Sequence, residues 1–86
     1  MHDTYLLNKI SKSLNEICEQ HKIRLINQFK IVVSQQSHIS EESLREHLEQ
    51  YNKNIIGDEL QIVIERDDIE DQTAIIHNIQ GDIIGD

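Results

Sequence analysis

Proline and tryptophan are absent from this chain of 86 residues, and aromatic side chains are confined to Tyr5, Phe29 and Tyr51. A core must therefore be assembled from isoleucine, leucine and valine, at a length that supports one domain and one modest core. The single cysteine, Cys18, excludes an internal disulfide, leaves a closed cysteine-pair zinc site without support, and fits a reducing compartment. Basic residues are scarce: eight Lys and Arg stand against sixteen Asp and Glu, for a formal net charge of −8. A nucleic-acid backbone or an anionic membrane surface calls for a basic stripe, and none is present. No apolar run is long enough to span a bilayer, and the start lacks the basic-then-apolar layout of a signal peptide. No Gly-rich phosphate loop, Ser-His-Asp set or acid–base pair points to an enzyme. The expectation is an acidic, cytoplasmic, non-enzymatic domain with neither nucleic acid nor membrane as partner.

What is present has clear periodicity. Over residues 5–21 the side chains Leu6, Leu7, Ile10, Leu14, Ile17 and Cys18 fall three or four apart and form one apolar helical stripe, with Asp3 or Thr4 able to cap its start. The period drops to two in "RLINQFKIVVS": Leu25, Phe29, Ile31 and Val33 share a face, Asn27 interrupts it, and Gln28 and Lys30 lie opposite. "SHISEESLREHLEQY" returns to helix, with Ser40 as N-cap, Glu41 and Glu42 at the positive end of the dipole, and Leu44, Leu48 and Tyr51 on one side. Ile39 can close onto Leu44 as a hydrophobic staple. After a turn around Gly57, "ELQIVIERD" alternates with Leu60, Ile62 and Ile64 inward. "TAIIHNIQ" supplies a further strand, with Ile75, His77 and Ile79 on one side and Ala74 and Ile76 on the other. The short acidic link "DDIED" predicts an antiparallel hairpin between these last two strands. The expected fold is a single α+β domain over 1–86, two helices packed on one face of a three-stranded mixed sheet, in the order α-β-α-β-β.

The chemistry concentrates at the opening "MHD". A free Met1 amine, the His2 backbone nitrogen and the His2 imidazole can reach one ion together, closing adjacent five- and six-membered chelate rings. The amide must lose its proton to join, which Cu(II) and Ni(II), ions favouring planar nitrogen coordination, can drive. Asp3 can complete the set through its amide or its carboxylate. Read alone, His2 is as readily one residue of an uninvolved chain end. Of the other histidines, His21 suits the negative end of the first helix, His47 follows Leu44, and His77 falls on a strand face; His38, just ahead of the second helix, is a candidate additional metal ligand. The carboxylates Asp67, Asp68, Glu70 and Asp71 lack the glycine and ligand spacing of a calcium loop and read as a solvated hairpin tip. Cys18, on the helical stripe, reads as a small core residue.

"MHD" ahead of a helix, the strand "INQFKIVVS", the capped helix "ISEESLREHLEQY" and the strand "GDELQIVIE" together resemble the HypA/HybF family of nickel-insertion accessory proteins. The resemblance implies a nickel-binding domain spanning the chain and a metallochaperone-like role in maturation of a nickel enzyme of hydrogenase type. It implies Ni(II) held by Met1 and His2, with Asp3 where the family usually has Glu, and as partner an accessory GTPase of HypB type or the target nickel enzyme. Family members insert a zinc domain with two CxxC pairs after the strand corresponding to 59–66. Here "DDIEDQ" crosses directly into "TAIIHNIQGDI", so no structural zinc is expected. The alternative is a non-enzymatic protein-interaction module that keeps a HypA-like fold without the metal.

Overall fold

The structure is a computed structural model that describes residues 4–83. Helix α1 runs Thr4–His21, strand β1 Ile23–Ser34, helix α2 Glu41–Tyr51, a single 3-10 turn Lys53–Ile55, strand β2 Ile56–Asp67 and strand β3 Ala74–Ile83. The order α-β-α-β-β and the mixed three-stranded sheet are those the periodicity predicts. Strand order is β2-β1-β3, with β2 parallel to β1 and β3 antiparallel to it.

Helix α1 begins to bury at Leu6 and continues through Ile10, Leu14 and Cys18, one side chain per turn. It packs on β1 and β3, while α2 packs on β2 and against α1. Both helices share one core with Phe29, Ile31 and Val33 of β1, Leu60 and Ile62 of β2, and Ala74, Ile76 and Ile79 at the margin on β3. Phe29 lies opposite Ile62, Ile31 lies between Ile64 and Ile76, and Val33 faces Ala74, so one apolar row crosses all three strands. The start of α2 is fixed as expected. Ser40 Oγ accepts from the Ser43 backbone amide at 3.1 Å and Ser43 Oγ accepts from the Ser40 amide at 3.0 Å, a reciprocal capping box, while Ile39 and Leu44 are both buried beside it.

Five expectations change. The turn expected around Gly57 is the 3-10 turn Lys53–Ile55, and Gly57 lies within β2. The last two strands do not form a hairpin, because β2 and β3 flank β1 on opposite sides. Ser34, at the end of β1, pairs with Asp67, and Val33 pairs with Ala74, so the intervening residues pass over the end of β1. The crossing is pinned by the Gln35 amide donating to the Asp67 carbonyl (3.0 Å) and by Ser34 Oγ donating to Asp71 Oδ1 (2.8 Å). The physical reason lies in β1, whose burial extends to Val32 on its second face, which suits a central position.

The inward set of β1 also differs: Ile23 and Ile26 are buried and Leu25 is half-buried, because both ladders slip between Ile26 and Gln28 and the β3 ladder slips again between Ile23 and Leu25. On β3, Ile79 joins Ala74 and Ile76 instead of Ile75 and His77. Asn78 has a positive φ of 51° and forms the extra residue of a bulge, which moves everything after it to the other face. Tyr51, finally, is 60% exposed and packs against the His47 ring, centroids 4.6 Å apart and planes tilted by 41°, instead of joining Leu44 and Leu48 inside.

Candidate metal centre

Met1, His2 and Asp3, the residues on which the metal reading depends, lie outside the described residues. The described residues begin at the first turn of α1. The first turn of α1, starting at Thr4, meets the loop that follows β1 and the crossing that precedes β3. Leu6, Gln36, Ser37, His38, Asp71 and Gln72 line a hollow there of about 200 Å³. His38, the candidate additional ligand, is therefore placed at the same end of the fold as the start of α1. Asp71 is brought there by the pass over β1 and is held through its bond to Ser34 Oγ, which also accepts from the Gln36 amide at 3.1 Å. Arg66 donates to the carbonyls of Ser37 and Ile39, fixing the loop that carries His38. The sequence suggests a solvated hairpin tip for Asp71 and no role for Gln36 or Gln72, and the expected hairpin would have carried Asp71 and Gln72 away from α1. The available signal was Ser34, a polar residue closing the apolar run of Ile31, Val32 and Val33.

The remaining candidates are dispersed. His21 is exposed at the end of α1, and His77 is exposed on β3 across from Lys30. His47 is half-buried on α2, its Nε2 is shut off from solvent with no hydrogen-bond partner, and burial pushes its pKa down. The neutral ring is thus the form the fold accommodates. Cys18 is buried and burial pushes its thiol up, which keeps it protonated and inert in the core, as its place on the apolar stripe suggested. The acidic stretch is solvated as expected, but it crosses the end of β1 instead of forming a hairpin tip, and Asp67 Oδ1 accepts from the Asp68 amide at 2.7 Å. Among the described residues no group of three or more His, Cys, Asp or Glu side chains converges as a metal site, and no helix is long and apolar enough to cross a membrane. Comparison with protein-family models, curated proteins and solved structures gives no match.

Proposed function

We propose that the chain is a nickel carrier of HypA type, reduced to the nickel-binding domain, that takes up and hands over Ni(II) as cargo in the cytoplasm during maturation of a nickel enzyme. The observation that carries this reading is the donor sequence Met1-His2-Asp3 standing directly ahead of α1, in a chain whose α-β-α-β-β order accords with the resemblance. The donor set fits the ion. An amine, an ionised amide and an imidazole in successive chelate rings supply three nitrogens in one plane, and Asp3 supplies the fourth donor, which suits square-planar Ni(II). Because the amine and the amide must both shed protons, uptake releases protons and strengthens as pH rises. Handover then reverses this, with reprotonation of the amide favouring release. An acidic surface of net charge −8 suits docking on a basic patch of the receiving protein, an accessory GTPase of HypB type or the nickel enzyme itself.

The test is titration of Ni(II) into three proteins: one with Met1 as its free terminus, His2→Ala, and one extended by a few residues before Met1. The first should bind one-to-one with the absorption of a planar, diamagnetic site, and the other two should lose it. Equal binding by all three overturns the proposal, as does binding by none. The second outcome would favour a protein-interaction module without metal, a reading supported by the direct crossing between β2 and β3 where the family carries its zinc domain.

A further inference from the structure

The two outer strands of the sheet are guarded very differently. An edge strand exposes unpaired backbone donors and acceptors, and proteins that avoid strand pairing protect such edges with charge, proline, a bulge or cover; β3 has the bulge at Asn78 but little of the rest. Strand β2, "IGDELQIVIERD", carries Asp58, Glu59, Glu65, Arg66 and Asp67. Strand β3, "AIIHNIQGDI", carries one formal charge, Asp82, which is tied to Arg24 at 3.5 Å and accepts from Asn27. Ile75 and Ile83 are exposed on it, at 42% and 64%. Among the described residues no strand pairs with its outer edge.

Beside this edge, α1 and β3 leave a groove. A small hollow at its first end is walled by Lys9, Ile10 and Ala74, and a larger one of about 480 Å³ at the other end by Ile17, His21, His77 and Ile79. Ile76 lines both. Among the described residues no carboxylate lines either hollow; the Lys9 ammonium stands at one end and the imidazoles of His21 and His77 at the other.

We propose that the outer edge of β3, with the groove under α1, is a docking site for an extended segment of a partner protein that is apolar in the middle and acidic at both ends. The segment adds a fourth strand to the sheet. Backbone pairing along β3 supplies affinity, and alternate side chains enter the groove beside Ile76 and Ile79 to supply selectivity. Carboxylates at its ends meet Lys9 and the two histidines. A second copy of this chain is a poor occupant, because each copy carries a net charge of −8 and the acid of its own β3 is already bound to Arg24. The site is independent of the metal reading and needs no nickel for its test.

The probe is a short fluorescein-labelled peptide of alternating valine and threonine with glutamates at both ends, N-methylated on alternate amides so that it pairs along one edge only. Saturable binding is expected, with amide NMR shifts confined to β3 and the facing turns of α1. Lys9→Glu, at an exposed position, should weaken binding about tenfold through loss of the rim charge, and Ile83→Lys should weaken it by placing a charge on the edge. The same peptide with lysines for glutamates should bind less well. The proposal is overturned by absence of saturable binding, by shifts mapping to β2 or to the uncovered sheet face, or by equal affinity for the lysine peptide. It is also overturned if the protein alone sediments as a dimer with the β3 amides already protected from exchange.

Discussion

His47 and Gly81 each show how one residue sets a measurable property of the fold. His47 has its Nε2 buried without a partner, so protonation in the folded state is disfavoured and its pKa falls below that of the unfolded chain. Between those two values the unfolded state binds more protons, so stability is fully present above the unfolded value near ~6.5 and is lost as pH falls below it. Chemical denaturation of the native protein and of His47→Phe between about pH 5 and 7 should show the native protein losing more stability toward acid, with the difference vanishing at neutral pH. An identical slope for both proteins would show that the imidazole carries no such linkage. Gly81 sits where β3 approaches β1 so closely that a Cβ would lie 2.0 Å from the Leu25 carbonyl oxygen, a backbone atom that cannot swing aside. Gly81→Ala should therefore cost roughly 1–3 kcal/mol, the usual scale for overpacking, whereas at Gly57 the nearest neighbour is the Asn27 side chain at 3.0 Å and alanine should be tolerated. Thermal melts of both variants decide this. Little of either effect is legible in the sequence, where His47 is a histidine after a leucine and Gly81 is a glycine near a turn-like "GD". Both depend on what the fold brings close from far along the chain.

Elements are held to one another by a few polar ties as well as by the core. Asn52, buried at the end of α2, donates through Nδ2 to the Ser11 carbonyl and to Asn15 Oδ1, both at 3.1 Å, and accepts from Ser11 Oγ. Its backbone amide closes α2 on Leu48 at 2.7 Å. One side chain thus clasps the two helices, and every polar atom in the clasp is satisfied, which is what makes such a group affordable inside. Asn52→Leu, which keeps the branched shape but strands the Ser11 hydroxyl, should lower stability by about 1–3 kcal/mol; Asn52→Leu combined with Ser11→Ala should recover part of that loss. Urea denaturation of both checks the sign. The helices were readable because capping residues and a 3.6 period act locally: Ser40, Ile39 and Leu44 behave as their spacing says. The strands were readable in extent but not in phase. An alternation of two survives only until a bulge inserts a residue, and although Asn tolerates a positive φ better than its neighbours, nothing in "HNIQ" says that a bulge falls there. Leu25 and Ile79 were assigned to the wrong faces for that single reason.

At the scale of the whole molecule, the number of layers and the mixed sheet follow from the order of elements, but the strand order does not. A short link between strands suggests neighbours, and residues 68–73 instead carry the chain across the end of β1. That crossing also brings Asp71 and Gln72 to the first turn of α1, so the hollow they share with His38 rests on the feature hardest to read. The longest dimension, 42 Å, is about that of the twelve-residue strands β1 and β2 laid out at ~3.3 Å per residue, and α1 lies along the same sheet. The central place of β1 has a consequence for biosynthesis. Made early and carrying much of the core, it gains its parallel neighbour only after α2 and β2 have emerged, and its other flank stays open until Ala74–Ile83 is released. Until then the most apolar strand of the chain presents a bare edge to the crowded space around the ribosome, so the nascent chain is most vulnerable to wrong pairing just before its sheet is complete.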